Sequence, residues 1–314
     1  MILTAEGVEK ATQDLIEDLD PDHYGLCEAM AVKLEGGVAS GSFTGSGVVF
    51  RIDLAAGRTY VLTAKHNLHI AAKRANLGSS GLSAYFRTKV RVKVPGISSQ
   101  EYAIAGITLC DGSDADFRYD VCLVQVDSMP LARAVNDFLR VGFRGEFASA
   151  KARSGGLGGD PQDKQIWDVL TNDAAQRVLG NKYGYKDYTL LQFGFGKIEA
   201  GDMASYGFRK RAISLKPEGN VARVVREYIP RTHEGYQDVF VFPGTDTSTG
   251  APGDSGGPVF ALDATRTKSF LLGLHLGANF YANRTDNNPS STTVNNAFTV
   301  LSSDRLGVAP YVLE

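Results

Sequence analysis

Short apolar runs, separated by glycine and polar turn residues, recur along the chain from Cys27 onwards. Runs of this length predict β-strands, and their regular recurrence favours a β-barrel or a β-sandwich. The 35 glycines agree with a fold rich in strands and tight turns. The predicted strands are residues 29–34, 46–52, 59–64, 90–94, 121–126, 190–195, 238–242, 258–262, 269–276 and 297–300.

Two segments depart from this pattern. Residues 4–19 predict an N-terminal helix, because Thr4 is a suitable N-cap and apolar residues then recur at three- and four-residue spacing. Residues 148–186 begin with a loop rich in glycine and charge, and a helix is predicted from Asp163 to Leu179. We interpret this second segment as an insertion or linker between two β-rich halves.

The charge of the chain bears on its expected binding partners, and its cysteine content bears on the redox state of its cellular compartment. The chain has 33 basic and 35 acidic residues, a net charge of −2, without a long block of one sign. This gives no electrostatic reason to expect a nucleic acid or an anionic membrane as partner. The three cysteines are an odd number and lie far apart, which favours a reducing compartment. They are Cys27, Cys110 and Cys122.

The first 20 residues are rich in acids and contain neither an apolar core run nor a small-residue cleavage site. They therefore do not predict a signal peptide. No stretch of the sequence reaches the ~20 apolar residues that a membrane-spanning helix needs. We expect a cytoplasmic protein, or a domain delivered by another route.

Residues 253–258, Gly-Asp-Ser-Gly-Gly-Pro, are the most specific motif in the sequence. A serine hydroxyl is a weak nucleophile unless a base takes its proton and hydrogen-bond donors stabilise the resulting oxyanion. Glycines around Ser255 let the backbone turn sharply and direct the amides of Gly253 and Ser255 at one point. The segment predicts a nucleophilic serine with its oxyanion hole, followed by a strand.

This segment resembles the nucleophile motif of the chymotrypsin/trypsin superfamily (clan PA), and other landmarks extend the resemblance. Residues 61–66, Val-Leu-Thr-Ala-Lys-His, resemble the strand and turn that present the catalytic histidine, here His66. Residues 119–124 resemble the motif of the catalytic acid, here Asp120. The order His66, Asp120, Ser255 is the chymotrypsin order among the convergent triads. Weaker candidates are His69 for the base, and Asp111, Asp114 and Asp116 for the acid.

The resemblance covers roughly residues 27–308 and implies an all-β fold of two antiparallel six-stranded Greek-key barrels with the active site between them. Residues 193–196, Phe-Gly-Phe-Gly, resemble the motif that opens the second barrel, and residues 297–300 resemble its last strand. The domain organisation that follows has four parts. They are an N-terminal extension (1–26), a first barrel (27–147), an insertion (148–186) and a second barrel (187–314).

The resemblance also gives expectations for the specificity pocket. The residue six before the nucleophile, which lies at the pocket base in this family, is Thr249 and not the aspartate of trypsin-like enzymes. Residues 273–277, Gly-Leu-His-Leu-Gly, resemble the pocket segment of glutamyl endopeptidases and 3C-type proteases. Because an imidazole donates a hydrogen bond to a carboxylate or amide oxygen, we expect cleavage after Glu, with Gln next. The substrate-binding residues are then His275, Gly277 and Thr249, with Ser248 as an alternative donor.

Asp254 raises the question of activation. In zymogen-activated members of the superfamily, this aspartate pairs with a new N-terminal ammonium, but an Ile-Val-Gly-Gly-like activation sequence is absent here. We expect an internal cation or backbone donors as its partner. The alternative is that the N-terminal helix or the 148–186 insertion holds the enzyme inactive until a regulatory protein or a cleavage releases it.

Two other function classes remain open from the sequence: a non-catalytic binding module with the same fold, and an esterase that uses the same triad. A metal enzyme is not indicated, because only His66 and His69 among the histidines are closely spaced and the cysteines lack CxxC spacing. We expect neither a metal nor a cofactor, and a protein or peptide as substrate.

Overall fold

The computed structural model shows a mostly β protein built from two antiparallel sheets with few helices. It describes residues 2–3, 21–38, 41–68, 82–110, 119–141, 163–175, 188–196, 211–215, 223–225, 239–243, 248–249, 253–263, 269–278 and 295–308. The predicted N-terminal helix at 4–19 lies outside these residues. Four of the helices among the described residues are α1 (Pro21–Ala29), α2 (Leu82–Lys89), α3 (Met129–Val141) and α4 (Ser303–Leu306).

The first sheet contains eight strands and curls strongly. Its order is β6-β5-β2-β3-β4-β8-β7, and β9 pairs with the far end of β3. The curl is shown by the backbone amide of Ala105, just after β6, which donates to Gln125 on β8. The strands are β2 (Ala31–Val38), β3 (Gly41–Asp53), β4 (Arg58–Thr63), β5 (Val90–Lys93), β6 (Glu101–Ala103), β7 (Gly106–Leu109), β8 (Cys122–Asp127) and β9 (Asp163–Gln165).

The second sheet contains seven strands in the order β11-β10-β15-β16-β17-β13-β12. A separate two-stranded ladder joins β1 (Ile2–Leu3) to β14 (Ser248–Thr249). The strands of the second sheet are β10 (Tyr188–Gly194), β11 (Arg211–Leu215), β12 (Arg223–Val225), β13 (Val239–Pro243), β15 (Pro258–Asp263), β16 (Ser269–Ala278) and β17 (Asn295–Val300).

Side-chain alternation explains how the strands build the core. On β8, Cys122, Val124 and Val126 are buried while the residues between them are partly exposed, which is the two-residue period of a strand with one face inward. Trp167 connects the two sheets. Its indole N–H donates to the carbonyl of Val49 on β3 at 2.9 Å, and its ring packs on Phe260 of β15 with centroids 4.5 Å apart.

All ten predicted strands overlap strands of the structure, and the differences lie at their ends. The first begins at Ala31 and not at residue 29, because α1 continues through Ala29. The helices α1 to α4 and seven strands were not predicted; these strands are β1, β6, β7, β9, β11, β12 and β14. The hydrophobic residues of α3 that face the sheet, Leu131 and Val135, are buried at a four-residue spacing.

The helix predicted from Asp163 to Leu179 is wrong in its first part. Residues 163–165 form β9, which pairs with Arg51–Asp53 of β3, and the amide of Ile166 continues the ladder to Phe50. The Asp163 carboxylate also accepts two hydrogen bonds from the Arg51 guanidinium. A partner 112 residues away therefore draws this segment into the sheet, and only residues 172–175 of the described part are helical.

Candidate active site

The His66 side chain lies against the Asp120 carboxylate at one end of the first sheet. Thr63, the last residue of β4, pairs with Cys122, the first residue of β8, so the segments on either side of this pair are adjacent. His66 Nδ1 lies 2.5 Å from Asp120 Oδ2, and the His66 backbone N–H donates to Asp120 Oδ1 at 2.7 Å. One carboxylate thus holds both the ring and the backbone of the histidine.

This contact determines how the imidazole is protonated. An ionised carboxylate only accepts hydrogen bonds, so the proton of the neutral ring lies on Nδ1 and Nε2 keeps its lone pair. Asp120 is fully buried and His66 is 8% exposed, which keeps water from competing for the contact. The arrangement suits a general base oriented by a buried acid.

The nucleophile segment, residues 253–257, runs from a tight turn into β15. Gly253 has φ 100° and Gly256 has φ 83°, a region in which residues with a Cβ are strained. The Gly256 amide donates to the carbonyl of His275 on β16 at 2.7 Å, and the Gly257 amide donates to the backbone carbonyl of Asp254 at 2.8 Å. Ser255 itself is half-buried.

Residues on and next to the first sheet also form hydrogen bonds to the nucleophile segment. The backbone N–H of Ser46, on β3, donates to the Ser255 carbonyl at 2.8 Å. The Ser46 hydroxyl donates to the Gly253 carbonyl at 2.8 Å and accepts from the Phe195 amide at 2.9 Å. Asn67, the residue after His66, donates to the Ser255 carbonyl from its side chain at 3.0 Å. These hydrogen bonds join the nucleophile segment, which precedes β15 of the second sheet, to β3 of the first sheet and to the residue after His66.

Asp254 is buried among glycine backbone. Its Oδ1 accepts the Gly196 amide at 2.8 Å. A Cβ on Gly194 would lie 2.2 Å from Oδ1, and one on Gly196 would lie 2.7 Å from it. The Phe-Gly-Phe-Gly segment therefore leaves the space that this carboxylate occupies and supplies a backbone donor to it, which is one of the two kinds of partner expected from the sequence.

His275 is fully buried on β16, and its backbone amide donates to the Gly257 carbonyl at 2.7 Å. Desolvation by burial lowers the pKa of His275 to about 4, and the opposing effect of the nearby Asp254 charge is smaller. The imidazole is therefore neutral at neutral pH. Within the described part of the chain, neither ring nitrogen has a hydrogen-bond partner.

The remaining predicted site residues are placed only in part. Gly277 follows His275 beyond a β-bulge and pairs with Ala297. Thr249 and Ser248 lie on β14, where their backbones pair with Ile2 and Leu3. β14 is not a neighbour of β16 in either sheet, so a shared pocket of Thr249 and His275 stays a prediction. His69, Asp111, Asp114 and Asp116 lie outside the described residues.

Sequence reasoning gave no role to three residues that contact the nucleophile segment. Ser46 lies between two glycines, Gly45 and Gly47, and this small-residue context was the available signal for a close backbone approach. Thr63 was noted only as part of the motif at residues 61–66, and Asn67, the residue after that motif, was not noted. Their hydrogen bonds depend on the second sheet, which adjacent residues in the sequence do not reveal.

Within the described ranges, histidine, cysteine and acidic side chains do not form a cluster of three that would hold a metal ion. Of the helices the structure describes, none combines the length and the apolar character needed to cross a membrane.

Comparison with known proteins gives similarity at the level of solved structures only. Neither a protein-family model nor a curated protein sequence matches the chain. It is similar to an inactive mutant form of Rv3671c from M. tuberculosis H37Rv, with 14% identity, TM-score 0.44 and coverage of 94% of this chain and 90% of that one. It is also similar to the thermostable serine protease AL20 from an extremophilic microorganism, with 10% identity, TM-score 0.48 and coverage of 90% and 95%.

A third similar structure is the protease Anisep from Arthrobacter nicotinovorans, with 12% identity, TM-score 0.44 and coverage of 87% of this chain and 90% of that one. At these identities and TM-scores, the similarities assign no residue role.

Proposed function

We propose that the chain is a serine endopeptidase with Ser255 as nucleophile, His66 as general base and Asp120 as the acid that orients the base. The observation that carries the proposal is the buried Asp120–His66 pair, which side-chain and backbone hydrogen bonds join to the Ser255 segment. Acyl transfer from a serine requires a base, oriented by an acid, beside the nucleophile, and these hydrogen bonds support such an arrangement of Ser255, His66 and Asp120.

The chemistry follows from this arrangement. His66 Nε2 takes the proton of the Ser255 hydroxyl while the oxygen attacks the scissile carbonyl, and the amides of Gly253 and Ser255 donate to the oxyanion. The protonated His66 then gives its proton to the leaving amine. Water, activated by the same base, hydrolyses the acyl-enzyme and restores the Ser255 hydroxyl.

Substrate selection is assigned to the region of His275, with a preference for Glu at P1 and then Gln. In support, the backbone of His275 bonds to Gly256 and Gly257, directly beside the nucleophile. A neutral imidazole offers one N–H donor, which suits a carboxylate or amide oxygen. Thr249 and Gly277 complete the proposed subsite. A library of peptides that differ at P1 tests this assignment, and a preference for Arg, Lys or a bulky aromatic residue would exclude it.

The two-barrel architecture belongs to the same proposal. The edge strands of the second sheet, β11 and β12, are consecutive in the chain, with only residues 216–222 between them. Such a short connection favours a sheet that curls until its edges approach. We further propose intracellular protein targets and a cytoplasmic location, as the sequence predicts, with control by a regulatory protein as the alternative to an enzyme that needs no activation.

Labelling by a fluorophosphonate probe, read out by mass spectrometry, tests the function. We expect modification of Ser255 in the wild type and none in Ser255→Ala. A proteome digest by the same two proteins then shows which peptide bonds are cleaved. A folded wild type that does not react with the probe would support a non-catalytic binding module. Probe labelling with ester hydrolysis but without peptide cleavage would support an esterase.

A further inference from the structure

The amide side chain of Asn67 joins the histidine-bearing turn to the backbone of the nucleophile. Asn67 follows His66 in the helical turn at 66–68 and is 1% exposed. Its Nδ2 donates to the Ser255 carbonyl at 3.0 Å and to Thr63 Oγ1, also at 3.0 Å. The same turn therefore carries the proposed base and a direct connection to the residue that the base is to deprotonate.

The chemistry of the partners fixes the orientation of this amide. The Ser255 carbonyl is an acceptor only, so the nitrogen of the amide must face it. The Thr63 hydroxyl donates its proton to the Ser46 carbonyl at 2.7 Å, which leaves its oxygen free to accept from Asn67. A flipped amide would place two oxygens against each other at the Ser255 carbonyl.

The surroundings leave little freedom to this connection. A Cβ on Gly45 would lie 3.0 Å from Asn67 Nδ2, and a Cβ on Gly256 would lie 2.3 Å from Thr63 Oγ1. The Ser255 carbonyl accepts a second hydrogen bond from the Ser46 amide, so both of its lone pairs are used by groups of the first sheet. Displacement of Ser255 away from His66 would break both bonds.

The oxygen of the Asn67 amide differs from the nitrogen in its hydrogen bonding. Asn67 Oδ1 is buried and has no hydrogen-bond partner among the described residues. Among the described residues, the nitrogen of Asn67 therefore has two acceptors while its oxygen has no hydrogen-bonding role. The position of the nitrogen is therefore the property of Asn67 that calls for an explanation.

We propose that Asn67 is a positioning residue for the serine-protease reaction: its Nδ2 holds the Ser255 backbone at a fixed distance from His66. The inference rests on the proposed function. Asn67 does not touch the substrate, so it acts by keeping the attacking hydroxyl in a reactive position. Since a displacement of the order of 1 Å costs up to about 100-fold in rate, loss of this bond lowers kcat and leaves KM nearly unchanged.

The test compares Asn67→Leu, which keeps the number and branching of the heavy atoms and removes the donor, with Asn67→Asp, which puts an oxygen where the nitrogen was. On a peptide substrate we expect kcat to fall by about 10-fold for Asn67→Leu and by up to about 100-fold for Asn67→Asp. The pH midpoint of the activity profile is expected to stay within about half a unit, since Asn67 does not contact the His66 ring. If Asn67→Leu does not fold, Asn67→Ser, which is smaller and polar, replaces it.

Asn136→Leu is the matched control. Asn136 is also a buried asparagine, and its Oδ1 accepts from Lys164, 28 residues away. We expect it to lower the thermal midpoint without changing kcat. Equal kcat values for wild type and Asn67→Leu, a fall in kcat matched by Asn136→Leu at equal stability, or a moved pH midpoint would each overturn the inference. A wild type without activity or probe labelling would instead contradict the proposed function.

Discussion

The two halves of the candidate site hold their groups by different means. In the first sheet, charged and polar side chains do the positioning: the Asp120 carboxylate binds both the ring and the amide of His66. In the second, glycine backbone does it: Gly253 and Gly256 adopt positive φ, and Gly194 and Gly196 leave room for Asp254. The first half therefore depends on hydrogen-bond chemistry, and the second depends on the absence of a Cβ.

The first half is tested most strongly by Asp120→Asn, which keeps the shape of the side chain and changes only its chemistry. An asparagine NH₂ donates where the carboxylate accepted, so the tautomer of His66 that leaves Nε2 free is no longer favoured. We expect kcat to fall by about 10⁴-fold with little change in the unfolding midpoint.

Hydrolysis assays and thermal unfolding of the same preparation measure both quantities for Asp120→Asn. Asp127→Asn, an exposed carboxylate at the far end of β8, is the control and is expected to leave kcat unchanged. If Asp120→Asn keeps more than about a tenth of the wild-type kcat, the shape of this side chain and not its hydrogen-bond chemistry positions His66, and the first half does not differ from the second in this respect.

The second half is tested by adding one methyl group with Gly256→Ala. The new Cβ would lie 2.3 Å from the Ser46 carbonyl oxygen and 2.7 Å from the Ala64 amide nitrogen, and backbone atoms cannot move aside cheaply. Overpacking and strain at φ 83° together are expected to cost about 3 kcal/mol in the free energy of unfolding. Probe labelling of Ser255 is expected to be lost as the segment shifts.

Gly307→Ala separates the cost of backbone strain from the cost of overpacking. Gly307 has φ 63°, but nothing lies within 4 Å of a Cβ built on it, so its substitution carries the backbone strain without the crowding. We expect about 1 kcal/mol for it, measured by urea unfolding alongside Gly256→Ala. Equal costs for the two variants would mean that crowding at the nucleophile segment contributes nothing, and the contrast between the halves would disappear.

The sequence reveals the features that depend on neighbouring residues and misses those that depend on residues far apart in the chain. Ten of the seventeen described strands were predicted, because alternation and glycine turns are local, and the motifs around His66, Asp120 and Ser255 are local too. The hydrogen bonds of Ser46 and Asn67 to the nucleophile segment join residues about 200 positions apart, and local patterns do not contain them. The same reason explains the wrong helix at Asp163, whose partner Arg51 decides its structure from a distance.

In the second half, the side chain of His275 also matters. Its contribution to the free energy of unfolding depends on pH and is smaller than the expected cost of Gly256→Ala. The folded protein lowers the pKa of His275 from 6.5 to about 4 by burial. Between these values the unfolded chain binds the proton more readily, so stability is complete above pH 6.5 and is lost as the pH falls towards 4. From pH 7.5 to pH 5 we expect about 2 kcal/mol of this loss from His275 alone.

Urea unfolding of wild type and His275→Gln at pH 7.5 and pH 5 isolates this contribution, because Gln does not titrate and every other group is common to both proteins. The wild type is expected to lose about 2 kcal/mol more than the variant between the two pH values. If both proteins lose the same amount, His275 is charged in the folded state at pH 5. A charged imidazole in this position needs an anionic neighbour, and Asp254 is the nearest candidate from its effect on the pKa. A side-chain contact between a histidine and an aspartate would then hold the second half, as the Asp120–His66 contact holds the first.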